Sequence, residues 1–159
     1  MENNTGTQKT ENINDRLREL RTRYAAAYAR SVRTTGLWLL MRSILAVVTI
    51  ALVATKIFTA AVLGQTVMGI LVALGISYML RRGIRVLAWL GLAGGAASLV
   101  LLVMNLGSYT AMAQQYPLLY LYIGVAVLDA VVQCAVNGLL LADSEYREFS
   151  RAMNEQSQG

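Results

Sequence analysis

The chain has 159 residues, 56% of them hydrophobic and only 14% charged, with a net charge of +5, no histidine and one cysteine. A water-soluble domain of this size carries about a quarter charged residues, so that class is excluded, in keeping with a mean hydropathy of +0.49. The missing histidine excludes imidazole acid–base chemistry and most zinc sites, and the lone Cys134 excludes an intrachain disulfide or a cysteine cluster.

In chain order, residues 1–11 are polar and read as a disordered tail. Over 12–35, Ile13, Leu17, Leu20, Tyr24, Tyr28 and Val32 recur at steps of three and four behind Asn12, a capping residue, which predicts an amphipathic helix. Its arginines, Arg16, Arg21, Arg23, Arg30 and Arg33, suit it to lie on anionic lipids of the inner leaflet or to dock a cytoplasmic partner. The segment is too long, too polar and too acidic for the charged leader of a signal peptide.

Four apolar windows follow within 36–142, at about 37–57, 62–80, 86–106 and 118–141. Each holds roughly 19 to 24 residues, enough to cross a hydrocarbon core of about 30 Å at about 1.5 Å per residue. No period-two alternation of barrel strands is present, so the expected fold is all-α, a bundle of four transmembrane helices preceded by the amphipathic cytoplasmic helix. No Gly or Pro separates the first two windows, yet a single helix over 36–80 would be about 68 Å long. The chain must therefore reverse between residues 56 and 59. Residues 143–159 read as a short cytoplasmic tail. Asp143, Glu145 and Glu148 are expected on the solvated face of a brief helical continuation, beside Arg147 and Arg151, with disorder after Met153.

The arginines are distributed one-sidedly. They precede the first window, separate the second from the third (Arg81, Arg82, Arg85) and follow the fourth, whereas the other side carries only Lys56. The positive-inside rule then places both termini in the cytoplasm, and the terse soluble parts favour a cell, or inner, membrane. Trp38, Tyr78 and Trp89 fall at the inner ends of their windows; Tyr109, Tyr116, Tyr120 and Tyr122 gather at the outer end, as amphipathic rings at the two interfaces do. Topology accounts for the basic pI of about 9.7, and no stacking platform or nucleic-acid motif accompanies the arginines, so nucleic acid is not an expected partner.

Asp129 is the one acidic side chain inside an apolar window, and Gln133 and Asn137 follow at four-residue steps, forming one polar stripe on the fourth helix. Arg42 in the first helix is the cationic candidate to meet it. The two backbones differ by about 10 Å in depth, so contact through Gln133 or Asn137 is expected ahead of a direct ion pair. Small residues mark close helix contacts: Gly69, Ala73 and Ser77 in the second window, Gly91 and Gly95 in the third. These faces are expected to pack the second helix against the third.

No catalytic constellation, nucleotide-binding loop or acidic metal cluster appears, and no cofactor is implied. Cys134 reads as packing. The expected function is a non-enzymatic accessory or scaffold subunit that binds membrane or cytoplasmic proteins, possible partners being lipid, further copies of itself or another membrane protein. The alternative is a small oligomeric transporter or channel with Asp129 as its proton or cation site.

Overall fold

The structure is a computed structural model that describes residue 15 and residues 18–157. Five helices account for most of the described residues: α1 (Ala25–Ala54), α2 (Ala61–Arg81), α3 (Val86–Ala113), α4 (Leu118–Ala142) and α5 (Ser144–Ser157). Among the described residues, α1 to α4 are long and apolar enough to cross a membrane. This is the all-helical, four-span architecture that the hydropathy windows dictate.

Boundaries differ where polarity is a poor guide to helix ends. Gly36 does not separate an amphipathic helix from the first span; α1 runs continuously from Ala25 through it. Residues 18–23 are helical as well, with an irregular joint at Tyr24. Asn12, Ile13, Arg16 and Leu17, and the expected disordered tail over 1–11, lie outside the described residues. The third helix continues past residue 106 to Ala113, so much of the expected loop before Pro117 is helix. The reversal after α1 occupies residues 55–60, where Lys56 adopts the left-handed conformation (φ 61°) that closes the helix without a glycine.

The helices are arranged in the order α2, α1, α4, α3, with α1 packed on both α2 and α4, and α4 on both α1 and α3. Helices α2 and α3, though joined by a short turn, touch little. Two apolar clusters hold the bundle together. The one nearer the termini is built around Trp38, Leu80, Val136, Leu140, Tyr146 and Phe149; the other, at the opposite end, gathers Leu52, Ala113, Leu119 and Val125 under Phe58 and Tyr122. Trp38 therefore does not sit at a lipid interface as expected: it is 1% exposed, in the core. Tyr78 and Trp89 are exposed, as interfacial rings are.

The C-terminal segment departs from the sequence reading in extent and packing. The expected helical continuation is present, with Glu145, Arg147, Glu148 and Arg151 exposed, but it is not disordered after Met153, because α5 extends to Ser157 and its other face folds back under the bundle. Asp143 caps it, its Oδ1 accepting from the Glu145 and Tyr146 amides. The Tyr146 hydroxyl donates to Leu80 O at 2.7 Å and Ser150 Oγ donates to Gly83 O. Phe149 meets the Tyr24 ring at 6.0 Å between centroids. Thus the apolar face of the N-terminal arm, including Leu20, Tyr24 and Tyr28, is met by the chain's own packing.

Gly83 makes this docking possible. Its φ of 81° suits glycine, and a Cβ there would stand 3.3 Å from Ser150 Cα and Met153 Cγ. Gly83→Ala is expected to weaken α5 docking by about 1–2 kcal/mol, read as faster tryptic cleavage at Arg147 and Arg151 with the transmembrane helicity retained.

Candidate functional site

The polar stripe lies between the two apolar clusters. Regular helix over Leu118–Ala142 carries Asp129, Gln133 and Asn137 on one face, and all three are buried, Asp129 to 3% and Asn137 to 0% exposure. From helix α1, the Arg42 guanidinium reaches this stripe. Its Nη1 lies 3.2 Å from Asp129 Oδ2, and its Nη2 donates to Gln133 Oε1 at 3.2 Å. The guanidinium thus engages carboxylate and amide together as a two-pronged donor. The expected relay through Gln133 exists, but the direct ion pair forms as well. The depth difference of backbones does not forbid it, because Arg42 has a long side chain that extends along the helix axis.

Gln133 also reaches the other way. Its Nε2 donates to Gly91 O on α3 at 2.9 Å, so one amide connects α1, through Arg42, to α3. Asn137 is not joined to Arg42. Its Nδ2 donates to Gln133 O on its own helix at 2.7 Å, and its carbonyl faces Gly91. Asp129 Oδ1 and Asn137 Oδ1 are buried without a hydrogen-bond donor from the chain.

Glycines shape this contact. A Cβ on Gly91 would lie 2.6 Å from Asn137 Cγ, one on Gly94 would lie 3.1 Å from Gln133 Nε2, and one on Gly95 would lie 2.7 Å from Cys134 Sγ. The small residues of α3 therefore receive the polar face of α4, not α2 as expected. Ala73 and Ser77 are buried on α2, which packs on α1, while a Cβ on Gly69 would meet nothing within 4 Å. Small size permits close approach by any neighbour, so spacing alone does not select the partner helix. Cys134 fills the notch at Gly95, in keeping with a packing role.

The arginines expected at a membrane or partner surface have separate fates. Arg30 is paired with Asp143 (Nε–Oδ2 2.9 Å) and Glu145, more than a hundred residues away, so those acids do not simply face solvent. Burial by itself would raise the Asp143 carboxyl, but Arg30 and the Tyr146 and Glu145 amides outweigh it and hold the group below its ordinary value of 3.8. Arg21 lies over the Tyr28 ring and Arg23 near the Tyr24 ring. Arg33 is exposed. Arg81 donates to Thr35 Oγ1 and Arg85 to Leu141 O, tying the α2–α3 turn to α1 and α4.

Sequence reasoning missed Tyr146, Phe149, Ser150 and Met153, whose i, i+3, i+4, i+7 spacing is a legible apolar face on an otherwise polar segment. Among the described residues no group of three or more His, Cys, Asp or Glu side chains is placed to hold a metal ion. No family model, curated protein or solved structure matches this chain.

Proposed function

We propose that the chain is a non-enzymatic accessory or scaffold subunit of a cell membrane, with both termini cytoplasmic and its basic end turned to anionic lipids and to partner proteins. The observation that supports this reading is the Arg42–Asp129–Gln133 arrangement. The intramembrane charge is opposed by a cation of the same chain, and the amide beside it is engaged with both neighbouring helices. A side chain so engaged fixes helix positions and is poorly placed to bind and release cargo. A scaffold needs that rigidity to present its arms in a constant geometry.

The runner-up, a small transporter or channel using Asp129, has one observation in its favour: the buried Asp129 Oδ1 and Asn137 Oδ1 lack donors from the chain. Reconstitution in liposomes with a pH-sensitive dye separates the two. The scaffold reading expects no proton or cation flux above empty vesicles for either the native protein or Asp129→Asn, together with recovery of a stoichiometric membrane partner after crosslinking in native membranes. Flux that is lost in Asp129→Asn contradicts it.

A further inference from the structure

Residues 82–85 join α2 to α3, and with the last residue of α2 the turn carries Arg81, Arg82 and Arg85. Among the described residues none of these three has a carboxylate partner, whereas Arg30 takes both Asp143 and Glu145. Their positions are nonetheless held. Arg81 Nε donates to Thr35 Oγ1 at 3.1 Å, Arg85 Nη2 donates to Leu141 O at 2.9 Å, and the Arg82 guanidinium lies 4.5 Å from the Tyr78 ring centroid. Each guanidinium has several further N–H donors to offer, and Arg85 Nε is buried without an acceptor. No acid stands in the first turn of α3 and no side chain caps it, so the positive end of that helix adds to the same field.

The surroundings of the turn say which anion it suits. Tyr78 lies one helical turn from Arg82 on the membrane side, and Trp89 lies one turn from Arg85 on the same side; both rings are exposed, as are Ile84 and Val86. Cations backed by exposed rings and aliphatic side chains match the boundary between headgroups and acyl chains; a soluble anion has no use for the apolar part. Depth sets this turn apart from the N-terminal arm. The Arg81–Thr35 bond places the turn level with Thr35, and α1 runs about 15 Å beyond Thr35 to its start at Ala25. The headgroup layer on one face is only about 5–8 Å deep. Arg21 and Arg23 therefore lie beyond it, stacked on Tyr28 and Tyr24.

We propose that the α2–α3 turn is a binding site for an anionic phospholipid, whose phosphate is held by Arg82 and Arg85 with Arg81 beside them and whose acyl chains lie against Tyr78 and Trp89. Guanidinium groups grip phosphate oxygens two at a time. Holding Arg81 and Arg85 by bonds to other helices, and Arg82 by its ring, lowers the ordering cost of binding, which a charge that only sets topology does not need. This site rests on the reading that the basic end faces anionic lipid, and moves that contact from the arm to the turn.

Trp89 is a reporter within the site, because the other tryptophan, Trp38, is 1% exposed in the core. The test places full-length protein in phosphatidylcholine vesicles with increasing phosphatidylglycerol, one or the other lipid carrying brominated chains that quench tryptophan on contact, at about 0.5 M salt to screen diffuse attraction. Half-maximal quenching by the brominated anionic lipid is expected at a mole fraction about tenfold lower than by the brominated neutral lipid, and Trp89→Phe removes that difference. At roughly fivefold per arginine, Arg82→Gln is expected to reduce the preference about fivefold and Arg82→Gln/Arg85→Gln to abolish it. Arg82 is exposed, so Arg82→Gln alone is expected to leave helicity and thermal unfolding unchanged. Arg33→Gln, also exposed and near the depth of Thr35 but about 200° around α1 from it, is expected to change nothing. Equal quenching by the two lipids, a preference that survives the double substitution, an equal loss in Arg33→Gln, or displacement by glycerol phosphate in solution would overturn the proposal. Both leaflets carry the lipid, so this readout is independent of cellular orientation, and the flux and partner measurements decide the scaffold reading separately.

Discussion

Arg42→Leu is expected to destabilise the bundle by about 3–5 kcal/mol, because it leaves the Asp129 carboxylate buried at 3% exposure with no cation to oppose it. The loss has two parts. The ion pair itself disappears, and Gln133 Oε1 loses its donor, loosening the connection from α1 to α3. The double variant Arg42→Leu/Asp129→Leu removes the unpaired charge and is expected to regain most of that stability, since an apolar pair of similar volume replaces a buried ion pair at little cost. Reversible unfolding in mixed micelles measures both. A double variant as unstable as the single one would mean that the pair is not what Arg42 contributes.

The second large effect concerns α3 and α4. In Gly95→Ala the new Cβ would stand 2.7 Å from Cys134 Sγ and 3.2 Å from Ala130 O and Cys134 N, so backbone as well as side chain must retreat. A loss of about 1–3 kcal/mol is expected, despite the better helix propensity of alanine, which favours it by up to about 1 kcal/mol. Gly107→Ala, where a Cβ meets nothing within 4 Å, is expected to be neutral or slightly stabilising. Adding Cys134→Ala to Gly95→Ala removes the sulfur and is expected to restore part of the loss. If α3 packed through Gly95 on α2, that second substitution would rescue nothing.

These contrasts also show which parts of the molecule are readable before folding. The four spans are legible because the bilayer imposes a length that few other contexts require, and Asp129 and Arg42 stand out because charge is rare in such windows. Their meeting depends on adjacency of α1 and α4, which no local pattern encodes. The Gly91 and Gly95 face was assigned to α2 because a smooth helix surface invites any neighbour; the polar side chains Gln133 and Asn137, which need the Gly91 carbonyl and the space beside it, select α4. A helical continuation over Ser144–Ser157 is legible from the spacing of its charges, but its docking face of Tyr146, Phe149, Ser150 and Met153 is overshadowed by those charged neighbours. Those charges are partly structural, since Asp143 and Glu145 serve Arg30. The change in polarity near residue 36 does not mark a helix end, because backbone hydrogen bonding carries α1 straight through Gly36.

Asp129, facing the Arg42 guanidinium at 3.2 Å, is one member of a clamp between α1 and α4. Infrared spectroscopy of the protein in lipid, comparing native chain with Asp129→Asn through the neutral pH range, tests this most directly. The account predicts that the native protein shows no protonated-carboxyl stretch that Asp129→Asn removes, and that Arg42→Leu creates one. A protonated carboxyl band in the native protein that is lost in Asp129→Asn, and that titrates near neutrality with Arg42 intact, would contradict it.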